Sequence, residues 1–241
     1  MTTDLGAIVP LPAAVADNAF APVAGETSLA RVVRSMLPSG IVVACAGTLA
    51  DDVRESLAAD GLSTVAIAVA DGIGTRGDCL AAGLEYLGNE AISSRYVLIH
   101  DVRRPLAPGG VRDRVIDGLR GGSSIVVPAQ RLTDSVKAVD ASGSVTETLD
   151  RSMLRVVQYP RGFTADQLSR LLTRRTSDEF DELDEALRAG LPITVVDGDP
   201  CAFVADLPRD TAFVEAIITC RPAGPYGSRG SARRVRRRRR R

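Results

Sequence analysis

Residues 97–108 read VLIHDVRRPLAP, and no other stretch of the chain concentrates as much chemistry. Four apolar residues, Tyr96 to Ile99, run into His100-Asp101 and then Arg103-Arg104-Pro105. A short apolar run bounded by charge and proline reads as a buried parallel strand. Open α/β sheets bind ligands at the carboxyl ends of their strands, which is where this carboxylate and these guanidinium groups would stand. Asp101 offers hard oxygens of the kind Mg²⁺ takes, and an arginine fork matches phosphate in bidentate fashion. The same residues serve equally well as an Asp-Arg pair capping a strand-to-helix turn, and spacing alone does not separate the two.

The elements that would position these groups follow from hydrophobic periodicity. Strand-like runs occupy 7–10, 41–46, 65–70, 96–99, 124–129 and 193–198, and helical patterns occupy 28–37, 51–59, 78–87, 109–120, 164–174, 179–189 and 208–219. Near-continuous apolar strands alternating with helices predict an α/β fold with a Rossmann-like, doubly wound, mostly parallel sheet. Thr27-Ser28 and Asp51-Asp52 are candidate helix caps, and Gly61 and Gly190 candidate stops. Residues 133–157 alternate instead at period two around Ser142-Gly143, which predicts a protruding β-hairpin arm.

Several motifs stand in a recognisable order. AIVP (7–10) is followed by R-x-x-C-L-x-x-G-L (76–84), HDVRRP (100–105) and VVPAQRLTDSVK (126–137). LDR (149–151), VQYPRGF (157–163) and VVDGDPCAF (195–203) complete the series. Together they resemble the 2-C-methyl-D-erythritol 4-phosphate cytidylyltransferase family over roughly residues 5–218. That family joins CTP to a sugar-alcohol phosphate in isoprenoid precursor synthesis. The resemblance implies catalytic roles for Asp101 and Arg104, with Mg²⁺ on Asp101 if transfer is retained. It implies substrate-phosphate binding by Ser135, Lys137 and Arg151 of the arm, although Lys137 also reads as a solvated charge. Gly72, Arg76 and Cys79 match nucleotide-side positions, where Arg76 serves a structural role as readily as a ligand role. The arm would cross to a second subunit, making a homodimer.

The departures cluster on the nucleotide side. Transfer between phosphates depends on positioning and on cations that neutralise developing charge. The family places a glycine-rich loop and a lysine after its first strand, whereas this chain reads LPAAVADNAFAPVAG (11–25), with no glycine before Gly25 and no cation. Asn18 and Val204 stand where the family has lysines, Ile73 follows Gly72 where a second glycine is expected, and Cys79 replaces a serine. Each lost charged contact is worth about 10²–10³-fold in rate. Arg103, an alanine in the family, and Arg161 are new cations able to compensate.

Composition sets the remaining bounds. A chain of 241 residues, 45% apolar, supports one domain over 1–220, which the resemblance implies is nucleotidyltransferase-like. The absence of a long apolar run and of a signal-like N-terminus points to a cytoplasmic protein without a membrane partner. Cys45, Cys79, Cys201 and Cys220 form no metal or disulfide spacing and read as buried reduced thiols. The formal neutrality hides an asymmetry: residues 221–241 hold ten arginines, leaving 20 basic against 30 acidic groups in the rest. That Arg-rich tail is low-complexity and expected to be disordered; it either touches nucleic acid through phosphate charge or is simply solvated. Lys137 is the only lysine. The expectation is a divergent family member with impaired or absent CTP-dependent transfer that keeps a phosphate-substrate site. The rivals are an active Mg²⁺-dependent nucleotidyltransferase, with the family's donor or an altered one, and a regulatory or structural dimer module.

Overall fold

The structure, a computed structural model, describes residues 4–37, 40–89, 94–175 and 179–220; the Arg-rich tail lies outside the described residues. The first apolar run forms β1 (Leu5–Leu11), buried along its whole length. A connection containing α1 (Ala16–Phe20), β2 (Pro22–Val23) and β3 (Glu26–Thr27) leads to α2 (Ser28–Met36). The next elements are β4 (Gly40–Ala46), α3 (Ala50–Ala59), β5 (Ala66–Ala70), α4 (Arg76–Asn89), β6 (Tyr96–Ile99), α5 (Gly109–Arg120) and β7 (Ile125–Arg131). The arm strands are β8 (Val136–Val139) and β9 (Val145–Leu149), followed by β10 (Arg155–Val157), β11 (Arg161–Thr164) and α6 (Ala165–Thr173). The described chain closes with α7 (Glu182–Arg188), β12 (Thr194–Asp197) and α8 (Thr211–Cys220). No helix among the described residues is long and apolar enough to cross a membrane.

The sheet runs β10-β7-β11-β6-β1-β4-β5, with β12 paired to β7. β1 lies parallel between β4 and β6, so the chain first winds outward through α2 and α3 and then returns over α4 to the other side of β1. This reversal makes the switch point at which such sheets form a ligand crevice. Residue alternation along β1 sorts the two core layers. Ala7, Val9 and Leu11 pack with α2, α3 and α5 through Leu29, Val33, Leu57 and Val115. Ile8 packs with α4, α6 and α7 through Leu80, Leu168 and Leu183. Covering both faces with helices explains why the inner strands β1, β4 and β6 are apolar at nearly every position.

The expected mostly parallel sheet is present, with one strand unforeseen. β11 runs antiparallel between β6 and β7. Four residues, RGFT, carry too little pattern to announce a central strand. Gly162 in it is required by packing, since a Cβ there would lie 2.5 Å from Val115 Cγ1 and 2.8 Å from Leu119 Cδ1 of α5. Thr27 caps α2 by accepting the Ala30 N–H, as its position suggested. Asp51 and Asp52 do not cap α3; the helix starts at Ala50, and both acids lie in its first turn, where the helix dipole favours negative charge. Gly61 and Gly190 follow α3 and α7 with φ of 72° and 64°. Cys45 and Cys79 are buried free thiols, but Cys201 is only half-buried and Cys220 is exposed. The hairpin closes through Asp140, whose Oδ1 accepts the N–H groups of Ser142 and Ser144, both at 2.9 Å. It is shorter than the periodicity of 133–157 suggested, because β10 pairs with β7 in the main sheet.

Candidate active site

The carboxyl end of β6 delivers His100 and Asp101 into the crevice. His100 anchors the turn: its N–H donates to Ile8 O at 3.1 Å, and its Nδ1 accepts the Asp101 N–H at 2.8 Å. Burial pushes the imidazole pKa down to about 4, so the ring is neutral at ordinary pH. Asp101 is 4% exposed. Its Oδ1 accepts Arg103 N–H at 2.9 Å and Arg103 Nε at 3.1 Å, and its Oδ2 accepts Arg103 Nε at 3.2 Å and Nη2 at 2.7 Å. Despite burial, which would raise its pKa, these bonds and the adjacent guanidinium charge hold the carboxyl below the usual range. An ionised carboxylate offers about four lone-pair positions, and here three N–H groups of one arginine, the Nε–H shared between both oxygens, make four contacts to them. Mg²⁺ does not fit this arrangement, and among the described residues no group of three His, Cys, Asp or Glu is placed to hold a metal.

Arg104, buried beside it, donates to the carbonyls of Ala202 and, at 3.3 Å, Val157. Its guanidinium stands 5.5 Å from the centre of the Tyr159 ring. Arg161 and Arg76 approach the same ring at 4.3 and 5.7 Å. Arg161, expected among the cations able to take nucleotide charge, is buried and committed elsewhere. It pairs with Asp181 at 2.9 Å and with Glu182 at 3.2 Å. Glu182 is wholly buried and also binds Arg76 at 3.0 Å and the Tyr159 hydroxyl at 3.3 Å. The segment Tyr159-Pro160-Arg161 therefore builds an ion cluster with the start of α7, where Asp181 caps the helix. Sequence reasoning missed Asp181 and Glu182. Their only signal was a pair of acids ahead of a helical pattern, which ordinarily reads as dipole compensation.

On the nucleotide side, Gly72 has φ of 66° and Ile73 is 78% exposed. The glycine that packing demands is Gly74, with φ of 67° and a Cβ position only 2.4 Å from Ala46 Cβ. Cys79 is buried with its Sγ 3.8 Å from Gly74 O, and burial pushes its thiol up to about 12. The connection after β1 is closed by a 3-10 turn at Ala13–Val15 and by α1. Asn18, at the position of the family lysine, accepts the Leu207 N–H at 2.9 Å through Oδ1. Val204 is 48% exposed, while its neighbour Ala205 donates to Arg103 O at 2.8 Å.

The arm residues Ser135, Lys137 and Arg151 are all exposed. Lys137 donates to Thr148 Oγ1 at 2.7 Å and Arg151 to Thr133 O, both within the arm. Within the described residues of one subunit, no hydrogen bond or ion pair joins them to Asp101 or Arg104.

A parallel switch-point crevice, a strand-end Asp-x-Arg-Arg and a projecting hairpin define a nucleotidyltransferase-type α/β fold. The sequence profile of 2-C-methyl-D-erythritol 4-phosphate cytidylyltransferase matches residues 13–220. The protein of that name from Nocardia farcinica (strain IFM 10152) is 36% identical over 206 residues, covering 86% of this chain and 87% of the relative. That of Rhodococcus jostii (strain RHA1) is 34% identical over 205 residues, covering 83% and 86%. The chain belongs to the 2-C-methyl-D-erythritol 4-phosphate cytidylyltransferase family. Among solved structures, the cytidylyltransferase from Thermus thermophilus superposes with a TM-score of 0.70 at 25% identity, over 88% of this chain and 98% of that one. A 4-diphosphocytidyl-2C-methyl-D-erythritol synthase gives 0.73 at 22% identity, over 90% and 99%, a likeness of fold.

Proposed function

We propose that this protein is a cytidylyltransferase-family member in which CTP-dependent nucleotidyl transfer is impaired or absent while a phosphorylated small molecule still binds. The observation that carries the reading is the connection after β1. It is filled by short helical turns, and Asn18 is occupied by the Leu207 amide. A triphosphate cradle needs backbone N–H groups that point outward and cations beside them. Here helical turns and an internal amide bond take those places, and Arg104 and Arg161 are buried in internal bonds.

The phosphate site is assigned to Ser135, Lys137 and Arg151, completed by a second copy of the chain. Support for the pairing comes from the arm, where Val139, Val145 and Leu149 are 58%, 64% and 37% exposed on a two-stranded projection too thin to bury them. The test is calorimetric titration of the full chain with CTP and Mg²⁺, for which dissociation constants above about 1 mM, or about −4 kcal/mol, are expected. A micromolar constant would overturn the reading. An active enzyme is the second reading, favoured by the 34–36% identity to relatives carrying the cytidylyltransferase name. Pyrophosphate release from CTP and methylerythritol phosphate would establish it.

A further inference from the structure

We propose that Arg103 is a built-in cation on Asp101, standing where a divalent metal ion would otherwise be held, so that this crevice does not load Mg²⁺ or Mn²⁺. The inference goes beyond the loss of the phosphate loop, because a protein with this substitution is conceivable with or without transfer activity. Its basis is the way one residue saturates the carboxylate. The backbone N–H, Nε and Nη2 of Arg103 together supply four contacts of 2.7–3.2 Å, two to each oxygen. Arg103 is itself fixed at its other end, where its carbonyl accepts the Ala205 N–H at 2.8 Å. Held by backbone bonds on both sides, the guanidinium is pre-organised, and little side-chain freedom is lost by keeping it on Asp101.

Electrostatics point the same way. Asp101 is the single carboxylate of its turn, and the charges of Arg103, Arg76 and Arg104 all interact with it. A dication would enter a neighbourhood already positive and would have to displace a bidentate guanidinium from a buried carboxylate. Mg²⁺ commonly keeps several waters and binds through one or two carboxylates, so the oxygens of Asp101 that Arg103 occupies are the ones such an ion would have to win. The Arg103 side chain is 44% exposed and makes no described bond through Nη1, so one face of the guanidinium stays available for a phosphate oxygen.

Mn²⁺ titration of the full-length protein, followed by the electron paramagnetic resonance signal of the free ion, tests this directly. The wild type is expected to take up no Mn²⁺ below the millimolar range. Arg103→Ala and, as a variant that keeps the side-chain stem, Arg103→Gln should each bind one ion at least tenfold more tightly. Adding Asp101→Asn to either should abolish the gain, and thermal melts of every variant verify folding. Sub-millimolar binding of Mn²⁺ by the wild type that is lost in Asp101→Asn would overturn the proposal. Failure of both folded Arg103 variants to gain binding would overturn it too, since the arginine would then not be what keeps the ion away. Neither outcome depends on CTP affinity, so this inference and the proposed loss of transfer fail separately.

Discussion

Glu182→Gln should be among the most damaging conservative substitutions in the protein, although the residue lies outside the strand-end motif. The carboxylate is fully buried and joins Arg76 at 3.0 Å, Arg161 at 3.2 Å and the Tyr159 hydroxyl at 3.3 Å. Glutamine preserves the volume but removes the charge, leaving the buried Arg161 and the part-buried Arg76 facing a neutral amide. Removing one partner of a buried ion pair costs about 3–5 kcal/mol. Arg161 retains Asp181 at 2.9 Å, so the lower end of that range is expected. At about 2–4 °C per kcal/mol for a chain of this size, the melting temperature should fall by about 6–12 °C. Asp181→Asn should cost clearly less, because the Asp181 side chain is 35% exposed and water compensates part of the loss. Calorimetric or circular-dichroism melts of the three proteins provide the assay. A shift below about 2 °C for Glu182→Gln, or equal shifts for the two variants, would refute the view that this cluster holds α7 and the site arginines together.

Three further outcomes are expected. Light scattering at micromolar concentration should report a dimer, and deletion of 139–148 a monomer; a stable wild-type monomer would rule out arm-mediated pairing. Acidification should destabilise the protein between pH 6.5 and about 4, because unfolded His100 takes up a proton near 6.5 while the buried ring resists until about 4. The unfolded state binds more protons in that window, so stability falls with pH by up to about 3 kcal/mol, and His100→Gln should flatten the urea-midpoint profile accordingly. An unchanged profile in that variant would count against the neutral buried ring. Finally, Gly74→Ala combines a left-handed backbone with a Cβ 2.4 Å from Ala46 Cβ, and should cost about 1–3 kcal/mol in a denaturant titration. A neutral effect would mean the 72–75 turn shifts freely.

Much of the fold was legible because its signals are local. The strands at 41–46 and 96–99 are apolar at nearly every position, and that pattern survives whatever they pack against. β11 was not legible, since a four-residue segment becomes a central strand only through pairing with β6 and β7 far along the chain. The site divided in the same way. The residues of the HDVRRP segment were picked out from sequence, but their bonding was not. Arg103 and Arg161 looked alike as new cations near the crevice, yet one lies on Asp101 with a part-exposed side chain and the other is buried under Asp181 and Glu182.

By itself, the sequence determined the alternation of strands and helices, the arm and its turn, the family, and the absence of glycine and cations from the connection after β1. These are properties of spacing and composition along a short window. Only the tertiary structure decided which arginine meets which carboxylate, because Arg76, Tyr159, Arg161 and Glu182 lie up to 106 residues apart and meet only when α4, β11 and α7 pack together. Charge pairing in a buried site is fixed by distances of a few ångströms, and chain separation carries no information about those.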